Sequence, residues 1–197
     1  NFVRTCIEIL SSLPSVVVGL FGYLIFVVQF EYGFSIISGA LALTVFNLPQ
    51  MTRNVEDSLR HVHHTQREAG LALGISRWET VLHVVIPEAL PSIVTGIVLA
   101  SGRIFGEAAA LIYTAGQSAP ALDWSNWNIF SVTSPISIFR QAETLAVHIW
   151  KVNSEGTIPD GTAVSAGSAA VLLIFILIFN LGARKLGSYL HKKLTSA

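Results

Sequence analysis

Charge is what this sequence has least of. Only 12% of its 197 residues are Asp, Glu, Lys or Arg, about half the roughly 25% of a soluble globular domain. So few charges cannot cover a water-facing surface, and the mean hydropathy is +0.61. The first expectation is therefore embedding in a membrane. The 12 basic and 12 acidic residues cancel, which leaves no basic footprint for nucleic acid. The single cysteine, Cys6, cannot form an internal disulfide. The patterns H-E-x-x-H, G-x-S-x-G and G-x-x-x-x-G-K-[ST] are missing, so no motif for zinc hydrolysis, a serine nucleophile or a phosphate loop is present. No enzymatic activity, cofactor or metal centre is expected. The chain begins with Asn1 rather than Met, and a segment before it is expected.

Long apolar runs fill the chain instead. A membrane span needs about 20 apolar residues. Four runs are candidates, at about 13–30, 32–51, 87–113 and 163–183. The first is not a cleavable leader, because little positive charge precedes it and it leads straight into the second. The third carries small residues four apart: Ser92, Gly96 and Ala100, then Gly102, Gly106 and Ala110. Such faces let helices approach closely in a bilayer. The reading is an all-α polytopic membrane protein with four or more transmembrane helices.

Lys and Arg orient the spans. Arg53, Arg60, Arg67 and Arg77 lie between the second and third, and Arg184, Lys185, Lys192 and Lys193 follow the fourth. The stretch 114–162 holds only Arg140 and Lys151. The 51–86 segment and both ends are therefore expected to be cytoplasmic, and the 114–162 loop external. That loop carries Trp124, Trp127 and Trp150, residues that gather at membrane interfaces. Its part from Ile138 to Val152 has a helical pattern.

The cytoplasmic segment predicts two short helices over 65–87. Thr65 with Glu68, and Ser76 with Glu79, have the spacing of capping boxes. Gly74 lies between them, where a helix C-terminus favours positive φ, and Pro87 is expected to end the second helix. Leu71, Leu73, Trp78, Val81 and Leu82 would be exposed. Such a surface fits either a protein partner or packing against the chain's own membrane domain. His61, His63 and His64 have a spacing that could hold a transition metal, but no Cys or carboxylate pattern joins them, and polar surface is the preferred reading.

The segment "EAGLALG" followed by "VVIP" resembles the EAA motif of ABC importer permeases, E-A-A-x3-G-x9-I-x-L-P. Glu68, Ala69, Gly74 and Pro87 match at the required spacing. Gly70 replaces the third small residue, and Val84 and Ile86 replace Ile and Leu. The strings "LPSVVVGLFGY", "LPQMTRNVEDSLRHV", "GRIFGEAAALIYTAG" and "AETLAVHIWKVNSEG" extend the resemblance over the whole chain, to phosphate permeases of the PstA type. The resemblance implies a MetI-like permease core in a bacterial inner membrane. It implies that the hairpin is a coupling helix docking into an ATPase subunit through Glu68, Ala69, Gly70, Gly74, Trp78 and Pro87. It also implies a second homologous permease (PstC-like), an external phosphate-binding protein at the outer loop, and inorganic phosphate as cargo. With no phosphate loop in this chain, ATP would be bound by another polypeptide. Such permeases usually have six spans, so an N-terminal pair of spans or a similar leader would be missing.

Arg103 and Glu107 stand inside the third apolar run, where charge is expensive. On one helix, residues four apart are neighbours. At about 1.5 Å per residue, Arg103 lies roughly 24 Å beyond Pro87, past the midplane of a core about 30 Å thick. One reading is a structural ion pair. The other is a substrate pathway in which Arg103 offers a fork of donors to phosphate and Glu107 balances it. The resemblance supports the second, because phosphate permeases carry R-x-x-G-E at this place. Two alternatives remain for the whole chain: an ABC permease for molybdate, sulfate or an amino acid, or a membrane scaffold or channel subunit without an ATPase.

Overall fold

The structure is a computed structural model and describes residues 2–156 and 159–195. Its regular elements are helices, with no strand among the described residues. In chain order they are α1 (Phe2–Ser11), α2 (Ser15–Gly22), α3 (Ile36–Arg60), α4 (His64–Ala72), α5 (Arg77–Thr80), α6 (Ile86–Phe105), α7 (Ala109–Thr114), α8 (Leu145–Glu155) and α9 (Gly161–Thr195). A π-helical stretch, Tyr23–Gln29, continues α2, and another, Val81–Val85, joins α5 to α6.

Among the described residues, two helical stretches, Arg77–Phe105 and Gly161–Tyr189, are long and apolar enough to cross a membrane. A third arises if Thr5–Ser11 and Ser15–Gln29, bent by 97°, act as one broken span or re-entrant pair. The reason lies in length and charge. Ser15–Gln29 has 15 residues, about 22 Å of α-helix, short of a hydrocarbon core. In α3, Arg53, Glu56, Asp57 and Arg60 crowd the C-terminal half.

The chain forms two compact units. The first comprises Asn1–Pro49 and Arg103–Ile176, and the short helix α7 is at its centre. Ala110 and Thr114 are fully buried, and Leu111 and Ala115 pack with Val147 of α8. Small residues make this possible: a Cβ on Gly19 of α2 would fall 2.9 Å from Ala110 Cα, and one on Gly39 of α3 would fall 2.9 Å from Ala115 Cβ. The start of α3 is secured by carbonyls from the last residue of α7 and from the loop before α8. Ser35 N–H donates to Thr114 O at 3.1 Å, Ile36 N–H to Arg140 O at 2.9 Å and Ile37 N–H to Ile138 O at 2.9 Å. These satisfy donors that a helix N-terminus leaves without intrahelical partners. Helix α8 begins later than the pattern over 138–152 predicts. Thr144 caps it, accepting from Val147 N–H at 3.3 Å, and residues 138–140 are engaged in capping α3 instead.

The second unit comprises Gln50–Gly102 and Leu177–Ala197. Its small core gathers Val62, Val85 and Ala89, with Leu59 and Ile93 against them. The small face of α6 meets α3 here. Ser58 Oγ donates to Ser92 Oγ at 3.0 Å, and a Cβ on Gly96 would sit 3.3 Å from Asn54 Cβ.

Candidate functional site

The hairpin of α4 and α5 is built from backbone constraints first. Helix α4 stops at Ala72, Leu73 N–H donates to Ala69 O, and Gly74 follows at φ +82°. This is the left-handed residue that closes many helices. The chain restarts at Ser76, where the capping box is complete. Glu79 N–H donates to Ser76 Oγ at 3.2 Å, and Ser76 N–H donates to Glu79 Oε2 at 2.9 Å. Gly70, on the inner face, is buried against Thr80, and a Cβ there would meet Thr80 Cγ2 at 2.8 Å. Arg67 fastens the hairpin to the end of α3 by donating from Nη2 to Leu59 O at 2.6 Å. A cavity of about 340 Å³, lined by Leu59, Arg67, Leu71, Arg77, Val81 and Val85 among others, runs beside it.

Two details differ from the sequence expectation. The Thr65–Glu68 capping box does not form. Helix α4 already begins at His64, with His63 in the extended capping position and no side-chain cap bond. Val62 is buried with Val85 and Ala89, so the chain turns there and Thr65 falls inside the helix. Nor does Pro87 end a helix: the chain stays helical from Arg77 to Phe105. The π-helical turns put Ile86 N–H on Val81 O, five residues back. That wider register moves carbonyls away from the proline ring, which lacks an N–H and would clash in a regular α-turn.

The outer face of the hairpin is apolar and open. Leu73 is 83% exposed and Trp78 70%, with Leu71, Val81 and Leu82 also exposed. Glu68, Ala69 and Gly74 are exposed, Pro87 is half-buried, and Gly70 alone of the EAA-like residues faces fully inward.

Arg103 and Glu107 do not share one helix. Helix α6 ends at Phe105, α7 starts at Ala109, and Gly106 to Ala108 form the break. Gly106 N–H and Glu107 N–H donate to Arg103 O and Ile104 O, both at 3.1 Å, in the tight three-residue register of a helix end. Glu107 then turns forward, and its Oε1 accepts from Ala110 N–H at 3.3 Å. Ala110 is fully buried, and an orphan donor at a buried helix start is costly, so Glu107 has a capping role that its spacing from Arg103 did not reveal. Arg103, in the last turn of α6, places its guanidinium 5.2 Å from the centre of the buried Phe46 ring, within cation–π range. The sequence offered no signal for Phe46.

Asn180 was also missed. It is the strongly polar residue in the run "AAVLLIFILIFNLGA", and that isolation is the signal. Its Oδ1 is buried without a hydrogen-bond partner, and a Cβ on Gly102 would lie 3.4 Å from its amide atoms. His61 Nδ1–H donates to the Asp57 carbonyl oxygen at 2.6 Å. Among the described residues, no group of three or more His, Cys, Asp or Glu could hold a metal.

Helices of span length and charge within an apolar run fit a membrane component. The chain belongs to the family of binding-protein-dependent transport system inner membrane components, whose sequence model matches residues 1–196. It is 61% identical over 196 residues to the probable ABC transporter permease protein YqgI of Bacillus subtilis (strain 168), covering 100% of this chain and 67% of that protein. It is 37% identical over 185 residues to the phosphate transport system permease protein PstA of Xylella fastidiosa (strain 9a5c), covering 93% of this chain and 59% of that protein. The PstA of Haemophilus influenzae is 33% identical over 186 residues, covering 94% of this chain and 60% of that protein. The chain thus spans less than two thirds of the PstA relatives' length. No solved structure matches it.

Proposed function

We propose that this chain is the transmembrane permease part of an ABC importer that takes up inorganic phosphate. The likeness to proteins named as phosphate permeases, over 93% of the chain in one case, carries the choice of substrate. In this reading the membrane is crossed four times, at about 13–30, 32–51, 87–113 and 163–183. Both ends are cytoplasmic, and 114–162 is an external loop that receives phosphate from a binding protein.

The apolar outer face of the hairpin supports coupling. Leu73 and Trp78 are large, exposed and adjacent to a rigid turn, as an anchor for a partner's cleft requires. Separate ATPase subunits would bind there, with a second, PstC-like permease completing the pathway. Because α5 runs into α6 without a break, a displacement of the hairpin would be carried along a stiff rod into the membrane. Arg103 would present guanidinium donors to phosphate, with the Phe46 ring holding the guanidinium in place and Glu107 fixing the break beside it.

A second reading has its own support. YqgI, at 61% identity, is named as a permease without a substrate, so an ABC permease for another oxyanion or for an amino acid is the competing assignment. Uptake of labelled phosphate by cells carrying the complete transporter, with sulfate and molybdate as competitors, separates the two. Uptake resisted by neither competitor supports phosphate. Loss of the signal with sulfate or molybdate, or its absence, supports the competitor. Co-purification of an ATPase subunit tests the coupling.

A further inference from the structure

A cavity of about 290 Å³ lies within the first unit, where α7 ends and the chain approaches α8. Phe34 and Ile112 form its apolar side, and Gly116, Gln117, Ser118 and Gln141 its polar side. Gly116 makes the shape possible. At φ +97° it leads the chain out of α7, and a Cβ there would stand 3.2 Å from Gln141 Oε1. The glutamine side chain fills that room, and its Oε1 accepts from Ser118 Oγ at 2.7 Å.

The acceptors around this cavity are already engaged. Thr114 O accepts from Ser35 N–H at 3.1 Å, and Ala115 O accepts from Ala142 N–H at 3.2 Å. Gln117 O accepts from Lys151 Nζ at 2.8 Å, and Gln141 O accepts from Arg140 Nη1 at 3.2 Å. Donors are in surplus. Lys151 keeps further N–H groups, Gln141 keeps its amide N–H groups, and Arg140 Nε is buried with no partner. No acidic side chain is among the lining residues. Glu143, at the start of α8, is paired with His148 at 2.8 Å. Arg140 and Lys151 therefore bring positive charge to the cavity wall while its acceptors are used up. An anion answers both conditions, because charge-assisted hydrogen bonds are stronger than neutral ones. One water takes about 30 Å³, so the room holds a tetrahedral oxyanion together with part of its hydration.

We propose that this cavity is an oxyanion-binding site that holds phosphate before it reaches the membrane-spanning part of the chain. The choice of phosphate rests on the cargo and the external 114–162 loop proposed above; the donor surplus does not. The cations lean on backbone carbonyls and the other donors are neutral, so the site binds weakly, as a stop from which the ligand moves on must.

The test uses the complete transporter purified in detergent, so it depends neither on orientation nor on uptake. Cys6 is replaced, and Ser118→Cys, at an exposed position in the cavity lining, supplies the reporter. Its reaction with neutral N-ethylmaleimide is read on this chain by mass spectrometry, with inorganic phosphate added against chloride of equal ionic strength. Half-protection is expected near roughly 1 mM phosphate, the range of a weak site. Lys151→Gln is expected to raise that concentration roughly five-fold, the effect of one unit charge at about 4 Å in water. Lys151→Arg keeps the charge and should keep the protection, which separates lost charge from a disturbed fold. Ser154→Cys, exposed and outside the lining, should not be protected. The proposal is overturned if no oxyanion slows the reaction at position 118, if Ser154→Cys is protected equally, or if Lys151→Gln is protected like the unaltered protein. Protection by phosphatidylglycerol in nanodiscs, and not by phosphate, assigns the donors to a lipid headgroup and also overturns it. The cargo fails differently. Protection by sulfate alone, with sulfate rather than phosphate taken up, keeps the site and removes phosphate as its ligand. Normal phosphate uptake without protection removes the site and keeps the cargo.

Discussion

Gly70 and Thr80 face each other across the hairpin so closely that a methyl group on Gly70 would stand 2.8 Å from Thr80 Cγ2. Overpacking of this kind typically costs about 1–3 kcal/mol. Gly70→Ala should therefore loosen the hairpin, and Gly70→Val should loosen it more. Thr80→Ser removes the offending methyl, so the double variant should recover part of the loss. The rate of limited proteolysis within 61–76 in membrane vesicles reports the effect. Unchanged resistance in Gly70→Ala would show that the crossing can relax.

Gly74 is sensitive for a different reason. No neighbouring atom lies within 4 Å of a Cβ there, but φ is +82°. The cost of a side chain is conformational, about 1–2 kcal/mol for most residues and less for Asn. Gly74→Val is expected to reduce ATPase co-purification and uptake while the protein reaches the membrane in normal amount, and Gly74→Asn should be close to neutral. A Gly74→Val protein that binds ATPase and transports at the full rate rules out the coupling assignment.

Much of the hairpin was legible because its signals are local. A glycine between two helical patterns and a Ser-x-x-Glu spacing each specify one backbone event, and Gly74 and Ser76 carry them out. Thr65 shows the limit of such signals. The same spacing is present, but burial of Val62 decides where α4 begins, and that contact depends on Val85 and Ala89, more than 20 residues away. The break at Gly106 was hidden for a related reason. Periodicity fits a helix equally well on both sides of it, and it is the packing of α7 among Gly19 and Gly39 that redirects the chain. Pro87 misled in the opposite sense, because a π-helical register absorbs a proline that a regular helix would reject.

The orientation inferred from Lys and Arg is open to direct labelling. With Cys6 first replaced, a cysteine at Ser154 should react with an impermeant thiol reagent added outside intact cells. A cysteine at His63 should react only after permeabilisation. Both positions are exposed, so burial does not confound the result. The reverse pattern would invert the topology and place the hairpin outside, where no ATPase could reach it.

Arg103 and Glu107 can be tested separately because their local roles differ. Glu107 Oε1 accepts from Ala110 N–H, and a glutamine can do the same. Glu107→Gln should therefore keep α7 in place while removing the charge, whereas Glu107→Ala should also lose the cap, at about 1 kcal/mol. A difference in thermal stability between these two, measured in detergent, reports the cap. Lower uptake in Glu107→Gln with unchanged stability reports the charge. Exchanging the pair, Arg103→Glu with Glu107→Arg, discriminates poorly, since an arginine cannot accept the Ala110 N–H. For Arg103 the donor geometry is the point: Arg103→Lys keeps the cation but loses the fork and should impair phosphate uptake, while Arg103→Gln should abolish it. Phe46→Leu retains apolar bulk but removes the ring beneath the guanidinium, an interaction of roughly 0.5–2 kcal/mol. It should weaken uptake without altering the amount of protein in the membrane. If Arg103→Lys, Arg103→Gln and Phe46→Leu all transport at the unaltered rate, Arg103 has no part in the pathway and serves only the packing of α6 against α3.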